Sequence, residues 1–372
     1  MKPRLLELLR CPQCGSPLDF HDAVLGQGTE ASEIIGGVLA CSPCGGRYPV
    51  IQGVPNFCAE DSQRAVRDTT RTASTYGYLW ERSRLDAPLY SDTTYHYEKM
   101  EHALALPEPR GLVLDAGCGD GIDLMNRAHC PNVEVVGVEL SDGGCRTSFQ
   151  RTATLTSAHV VQADLSRLPF AAGRFDVIYS YGVLHHLAVP KDGLRELVRV
   201  AKPGAMISAY LYEDFSDHSI GWRWLLAGAN QLRWITTRLP HAVLFGLCGL
   251  LSPLVYLCFT VPFHVLRRLP GLRAAAQNIP FRHARGPWSL TGDLYDRFAA
   301  PIERRFNQQG AAQFFKDAGL LEVRTAKERG WMVCGIKPNV EADVEAGARA
   351  QQRITSDPDA LRLPATATGR AC

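Results

Sequence analysis

Two cysteine pairs and one glycine-rich run concentrate the chemistry of this chain. Cys11-Pro-Gln-Cys14 and Cys41-Ser-Pro-Cys44 place four thiols on two matched C-x-x-C knuckles. Tetrahedral zinc takes four soft ligands at about 2.3 Å, and a two-residue spacer lets both sulfurs of one turn converge on the metal. Gly15 and Gly45 follow the pairs, as tight knuckle turns require. A redox dithiol would sit in a βαβ pattern that neither pair has. We therefore expect Cys11, Cys14, Cys41 and Cys44 to hold a structural Zn2+, with no open position for catalysis.

The glycine run is Val113-Leu-Asp115-Ala-Gly117-Cys-Gly119-Asp-Gly121, an apolar strand passing into a turn and then a helix. A dinucleotide fingerprint would carry its third glycine at position 122, which is Ile122. The G-x-G-x-G spacing behind Asp115 suits a cofactor without a pyrophosphate, whose amino-acid end is held by backbone groups and the acid. Val135-Val-Gly-Val-Glu139 ends a second apolar run in a carboxylate about 20 residues on, where it can accept hydrogen bonds from ribose hydroxyls. Gln162-Ala163-Asp164-Leu165 ends a third run in an acid able to receive an adenine amino group. Phe175–Ser180 is a fourth, whose carboxyl end borders the same crevice.

The elements that must position these residues alternate. Val113-Leu114, Val133–Glu139, Val160–Gln162, Phe175–Ser180 and Met206–Leu211 read as strands separated by helix-like segments, the pattern of a parallel sheet with crossover helices. The fold class is α/β. Residues 1–57 form the cysteine-bearing unit, and 58–111 a polar, helix-prone cap with an aromatic stretch from Tyr76 to Trp80. The main domain spans 112–338 and is interrupted at 213–309 by an insert, apolar in its middle and basic at its flanks. The rhythm resumes with a helix at Ala311–Ala318, capped by Gly319, and strands at Leu321–Ala326 and Trp331–Lys337. Residues 339–372, polar and without aromatics, are expected to be a disordered tail.

LDAGCGDG, GVELS, ADLSRLPF, FDVIYSYGVLHHL and ELVRVAKPGA follow one another in the order and spacing of the class I S-adenosylmethionine (SAM)-dependent methyltransferases. The chain resembles in particular the group containing the ubiquinone/menaquinone C-methyltransferases, over residues 112–212 and more weakly over 310–337. The resemblance implies a Rossmann-like sheet of about seven strands, the last antiparallel. It also implies that Asp115, Gly117, Gly119 and Gly121 hold the methionine part of S-adenosyl-L-methionine and Glu139 the ribose. Asp164 and Leu165 would flank adenine, and Ser180 and Tyr181 would border the methyl group. His185 and His186 become candidates for a general base, with Tyr181 packing on the cofactor or orienting the acceptor; a histidine pair here is also common in the family without a catalytic role. The first 57 residues resemble the small zinc-binding activator subunit of tRNA and release-factor methyltransferases. That module packs on a methyltransferase, so this one is expected either to do so within one chain or to be a folding staple.

The insert contains Ala242–Phe263, almost without polar side chains and long enough to span a bilayer. A single crossing would put strands of one sheet on opposite sides of the membrane, and Pro253 stands mid-run, so a hairpin of two shorter helices is expected. Flanking tryptophans and arginines fit a cap dipping through 242–266 into one leaflet; they equally fit a buried lid over an apolar substrate. Leu290–Phe298 and Pro301–Phe306, just before the resumed fold, read as an exposed charged face or as segments that close over substrate. Either way the expected acceptor is a small, hydrophobic or lipid-like molecule; the alternative is an RNA or protein methyltransferase that docks through the zinc ribbon. With 46% hydrophobic and 21% charged residues and a net charge of +2, the chain shows no clear nucleic-acid signal. The opening residues carry Glu7 within their apolar stretch and no small-residue cleavage site, so we expect no secretory signal and a cytoplasmic protein, peripheral at the inner membrane face if the insert meets lipid.

Overall fold

Residues 111–116 and 133–139 are near-continuous runs of Val, Leu and Gly, the signature of strands covered on both faces. In the computed structural model, which describes residues 1–26, 33–58, 67–82, 95–277 and 279–339, they are the centre of the main sheet. Four antiparallel strands come first: β1 (Asp19–Leu25), β2 (Ile34–Ala40), β3 (Arg47–Ile51) and β4 (Val54–Pro55), behind a short helix α1 (Pro3–Leu8). Helices α2 (Arg67–Trp80) and α3 (His96–Leu104) lead into the alternating region. There, β5 (Gly111–Ala116), α4 (Ile122–Ala128), β6 (Val133–Glu139), α5 (Asp142–Arg151), β7 (Ala158–Gln162), β8 (Phe175–Tyr181), α6 (Pro190–Val200) and β9 (Ala201–Leu211) follow in turn. After the insert, a helix at Gln308–Asp317 precedes β10 (Leu321–Lys327) and β11 (Trp331–Ile336).

The seven strands lie in the order β10-β11-β9-β8-β5-β6-β7, with β11 antiparallel to both its neighbours and the rest parallel. Alternate side chains enter two apolar layers. Leu114, Val136, Val161 and Ile178 point to one face, and Val113, Val135, Val160 and Tyr179 to the other. From β5 the chain steps through β6 to β7 on one side, then returns to place β8 on the other side of β5. The order reverses between β5 and β8, and open α/β sheets bind ligands at the carboxyl end of such a reversal.

The N-terminal unit shares the main core. Met1, Leu5, Leu8 and Leu9 are buried in one cluster with Val161, Leu168 and Phe170. Phe57 N–H donates to the Gln162 carbonyl at 2.9 Å, and Asn56 pairs in parallel with Gln162. Lys2 Nζ donates to the Ala158 carbonyl at 2.8 Å, and Arg4 pairs with Glu134 at 3.1 Å. The unit thereby covers β7, an edge strand whose free backbone groups would otherwise invite a foreign strand. Of the two expectations for this module, packing on the main domain within one chain is what the fold shows.

The insert departs from the expected hairpin. Helix α7 (Ile220–Thr236) is followed by one continuous helix, His241–Leu266, that does not break at Pro253. Pro253 removes one backbone donor without ending the helix, and a π turn at Tyr256–Thr260 stands directly before a second proline, Pro262, where the regular i to i−4 bond would again fail. One face of this helix packs lengthwise on Thr291–Ala299 through Leu244 and Cys248, forming a third core with Leu79 of α2. The tail expected from residue 339 lies, from 340 onward, outside the described residues.

Candidate active site and zinc centre

At the carboxyl ends of β5, β6, β7 and β8 a cavity is walled by Gly117, Gly119, Glu139, Leu140, Asp164 and Leu165, with Tyr181, Val183 and His186 on the far side. Its roof is α2, through Thr72, Ala73, Tyr76 and Trp80. The first, third and fourth of these stand four residues apart, one above another on a single helix face. The aromatic stretch Tyr76–Trp80 does not by itself mark a site; the i, i+4, i+8 spacing of Thr72, Tyr76 and Trp80 is the sequence signal of this face. Among the described residues, none of the insert walls this cavity. The insert instead props α2 from behind, packing Tyr295 and Phe245 against Tyr78.

The β5 loop needs its glycine. Gly117 has φ +94°, and a Cβ there would lie 2.3 Å from Val183. Asp115 is buried behind the loop, beside the Tyr179 hydroxyl, and does not itself wall the cavity. Burial, reinforced by the charge of Asp123, pushes its carboxyl well above the usual range. A cationic or donor group entering the loop would remove that penalty. Glu139 clasps the loop: Ser141 Oγ and N–H donate to its Oε1 at 2.7 and 2.9 Å, and Gly119 N–H donates to its Oε2 at 3.2 Å. Burial raises its carboxyl, and these three bonds oppose the shift. Asp164 turns one oxygen, Oδ1, to Ser166 N–H and Oγ, both at 2.8 Å.

Other sequence candidates fall elsewhere. Gly121 is the N-cap of α4, packed against Ser148, and does not wall the cavity. Ser180 Oγ donates inward to the Ala116 carbonyl at 2.9 Å, tying β8 to β5 rather than facing the cavity. His185 is wholly buried with its ring 4.0 Å from that of Tyr212, so it has no access to a substrate. Burial drives its pKa well below the ordinary imidazole value. Tyr181 does face the cavity. It is a fixed aromatic shelf, stacked between His96 at 4.0 Å and Tyr210 at 4.5 Å.

His186 heads a chain of polar groups that sequence reasoning missed. Its Nδ1 lies 2.6 Å from the Ile302 carbonyl, which can only accept, so Nδ1 carries a proton. Its Nε2 is 2.9 Å from the Tyr76 hydroxyl, which is also 2.9 Å from Asp296 Oδ1. Tyr212 donates to Asp296 Oδ2 at 3.2 Å. Tyr76 thus has one proton and two acceptors; it donates to Asp296 Oδ1 and leaves the Nε2 lone pair of His186 open at the same hydroxyl. Burial raises Asp296 and lowers His186. In the sequence Asp296 had read as part of either an exposed charged face or a segment closing over substrate. It faces inward because the helix Thr291–Ala299 buries Leu294 and Tyr295 on its inner side.

The four cysteines come together as expected. Their sulfurs all lie within 4.8 Å of one another, with Cys11 to Cys44 at 3.5 Å and Cys14 to Cys41 at 3.4 Å. The edge of a ZnS4 tetrahedron built on 2.3 Å bonds is about 3.8 Å, so the donor set fits zinc in type, number and spacing.

Residues 114–209 match the family described as methyltransferase domain. This is a methyltransferase domain. Residues 2–53 match the family of Trm112p-like proteins, which covers all four zinc-type cysteines. An uncharacterized methyltransferase of Schizosaccharomyces pombe is 30% identical over 125 residues, 29% of this chain and 45% of that one. Cycloartenol-C-24-methyltransferase of Arabidopsis thaliana is 30% identical over 145 residues, 37% and 43% of the two chains. Malonyl-[acyl-carrier protein] O-methyltransferase of Enterobacter lignolyticus is 26% identical over 168 residues, 44% and 64% of the two. The first two likenesses therefore span less than half the length of each relative. Among solved structures, a complex of the Haloferax volcanii Trm112 methyltransferase activator with a methyltransferase covers 74% of this chain and 100% of its own, at 15% identity and a TM-score of 0.41.

Proposed function

We propose that this protein is a SAM-dependent methyltransferase acting on a small, apolar or lipid-like acceptor. The observation that carries the reading is the cavity at the β5/β8 reversal of a methyltransferase domain, walled by Gly117, Gly119, Glu139 and Asp164. The lone pairs left on Glu139 suit ribose hydroxyls and Asp164 Oδ2 suits an exocyclic amine, while the buried Asp115 carboxyl lies behind the glycine loop that would meet the amino-acid end. When bound, SAM supplies an electrophilic methyl group. The residues of the chain align the acceptor and exclude water, which is most of what in-line displacement requires.

Where the acceptor must lose a proton, the chain Tyr76–His186–Asp296 can hold it. Tyr76 passes its own proton to the lone pair on His186 Nε2 and takes the acceptor's proton on its oxygen. Asp296, at the same hydroxyl, stabilises the imidazolium that results. His185 has no part in this. The aromatic roof of Tyr76 and Trp80 and the shelf of Tyr181 favour an acceptor with apolar surface. One relative is named for an apolar acceptor, cycloartenol, and another for a malonyl group borne on acyl-carrier protein. The zinc ribbon spends its apolar face on β7, which supports a small acceptor over a macromolecule docked on that face.

Calorimetry with SAM tests the site. Glu139→Ala and Asp115→Ala are each expected to weaken binding by about tenfold or more, the value of one lost charge-assisted contact. Unchanged affinity in both variants would overturn the assignment. Transfer of isotopically labelled methyl into the lipid fraction of a cell extract, rather than into RNA or protein, tests the acceptor class.

A further inference from the structure

The insert carries an apolar face that the fold does not use. Along His241–Leu266 two stripes run at helical spacing on opposite sides. Leu244, Cys248, Ser252, Thr260 and Phe263 are buried against the domain, and Val243, Leu247, Leu250, Leu254, Leu257 and Val265 face out. Leu250 is 78% exposed. Helix α7 has no buried residue at all, and its Trp224 and Trp234 are 72% and 63% exposed. Trp288 adds a third exposed indole. So large a set of exposed aliphatic and indole side chains marks an interaction surface.

Charge names the partner. No Asp or Glu occurs between His218 and Gly292, while Arg223, Arg238, Arg267, Arg268, Arg273 and Arg285 are all exposed there. A second protein would present mixed charge, whereas an anionic lipid surface presents hydrocarbon beneath uniform negative charge. Leucines flanked by indoles and guanidinium groups match that layering. The helix, about 39 Å long at 1.5 Å per residue, could span a bilayer by length. It is held flat instead: Ser252 Oγ donates to the Pro287 carbonyl at 2.6 Å and Thr260 Oγ1 to the Phe281 carbonyl at 2.7 Å, and the inner stripe is packed from Leu244 to Phe263.

We propose that α7 and the outer face of His241–Leu266 seat this protein on an anionic membrane surface, the helix lying in the plane of one leaflet. The same insert buttresses α2, the roof of the cavity, so the membrane face and the site are joined through one packed layer.

Co-sedimentation of the full chain with two kinds of vesicle tests this: phosphatidylcholine alone, and phosphatidylcholine with phosphatidylglycerol. Binding to the anionic vesicles is expected, weakened about tenfold or more on the neutral ones and falling with added salt. The double variant Leu250→Glu/Leu254→Glu should abolish it, and Arg267→Glu/Arg268→Glu should abolish the preference for anionic lipid. Both changes are on exposed positions, and retained SAM affinity and an unchanged melting temperature establish that each variant is folded. No sedimentation with either vesicle, or equal sedimentation of the leucine variant, would overturn the proposal. So would a lipid-free dimer in ultracentrifugation that the leucine variant dissolves, since the face would then belong to a second copy. Vesicle binding and cofactor binding use different residues, so either can fail without the other.

Discussion

A Cβ on Gly143 would stand 2.3 Å from the carbonyl oxygen of Gly77. The two glycines are the point where α2 crosses α5, and only a bare backbone on α5 lets the helices approach so closely. The crossing matters because α2 is the roof of the cavity, with Tyr76 next to Gly77. Gly143→Ala must push α2 outward. We expect a loss of about 1–3 kcal/mol in stability from overpacking and at least about tenfold weaker SAM binding. Urea denaturation and calorimetry measure the two. Full cofactor affinity in a destabilised variant would show that α2 does not close the site.

Asp296 and His186 share one proton chain through Tyr76, so changing one must be felt at the other. The Asp296 carboxylate favours the imidazolium form of His186. Asp296→Asn should therefore lower the His186 pKa further, read directly by NMR titration of the ring, and slow transfer to a proton-losing acceptor by about 10²-fold. Tyr76→Phe should slow it similarly while leaving the fold intact. An unmoved His186 titration would rule out the relay.

Three imidazoles, His159, His185 and His186, are held below their ordinary pKa by burial. The unfolded chain binds protons on them below about pH 6.5, and the folded chain does not. Their contribution to stability is complete above that value and is lost as pH falls toward the depressed values. For His185, we expect unfolding free energy to drop by up to about 1.4 kcal/mol per pH unit on acidification below about pH 6.5. His185→Leu should remove that share of the slope. Parallel curves for variant and parent in denaturation series would contradict a buried neutral His185.

Removal of the metal should reach beyond the ribbon. The knuckle at Cys11 continues into Arg10 N–H donating to Pro169 O at 2.8 Å, while Arg167 Nε donates to Pro12 O at 3.0 Å. Zinc quantified on the purified chain is expected at about one ion per molecule. Cys41→Ser or a strong chelator should lower the melting temperature of the main domain, not only release the metal. A methyltransferase domain that melts unchanged without zinc would mean that the ribbon is an independent appendage.

Much of this protein is written locally. Which residues make strands follows from period and run length, so β6 at Val133–Glu139 was readable to the residue, and β5, β7 and β8 to within a few. The cysteine pairs announce one four-sulfur cluster by type and spacing alone, and the fold brings the four together. That Glu139 and Asp164 reach one cavity was legible because each ends an apolar run, and a parallel sheet brings such ends together; Asp115 ends such a run too but lies behind the glycine loop. What the chain alone left open depends on facing and on partners distant in sequence. Ser180 and Ser208 lie on adjacent strands of one sheet, yet only packing decides that Ser180 turns to Ala116. His185 and His186 differ by one residue, and the turn they share sends one ring into the core and the other to the cavity. Tyr76, His186 and Asp296 are separated by more than a hundred residues at each step, so no spacing rule could have linked them. Pro253 carries a real local cost, yet the helix continues through it, with Ser252 and Thr260 tied by hydrogen bonds to Pro287 and Phe281 on either side. Sequence determined the strands, the pairing of the four cysteines into one cluster and the methyltransferase motifs, which rest on neighbours along the chain. The roof, the proton chain and the outward apolar face were decided by tertiary structure, because each is set by which surface of an element the rest of the fold leaves uncovered.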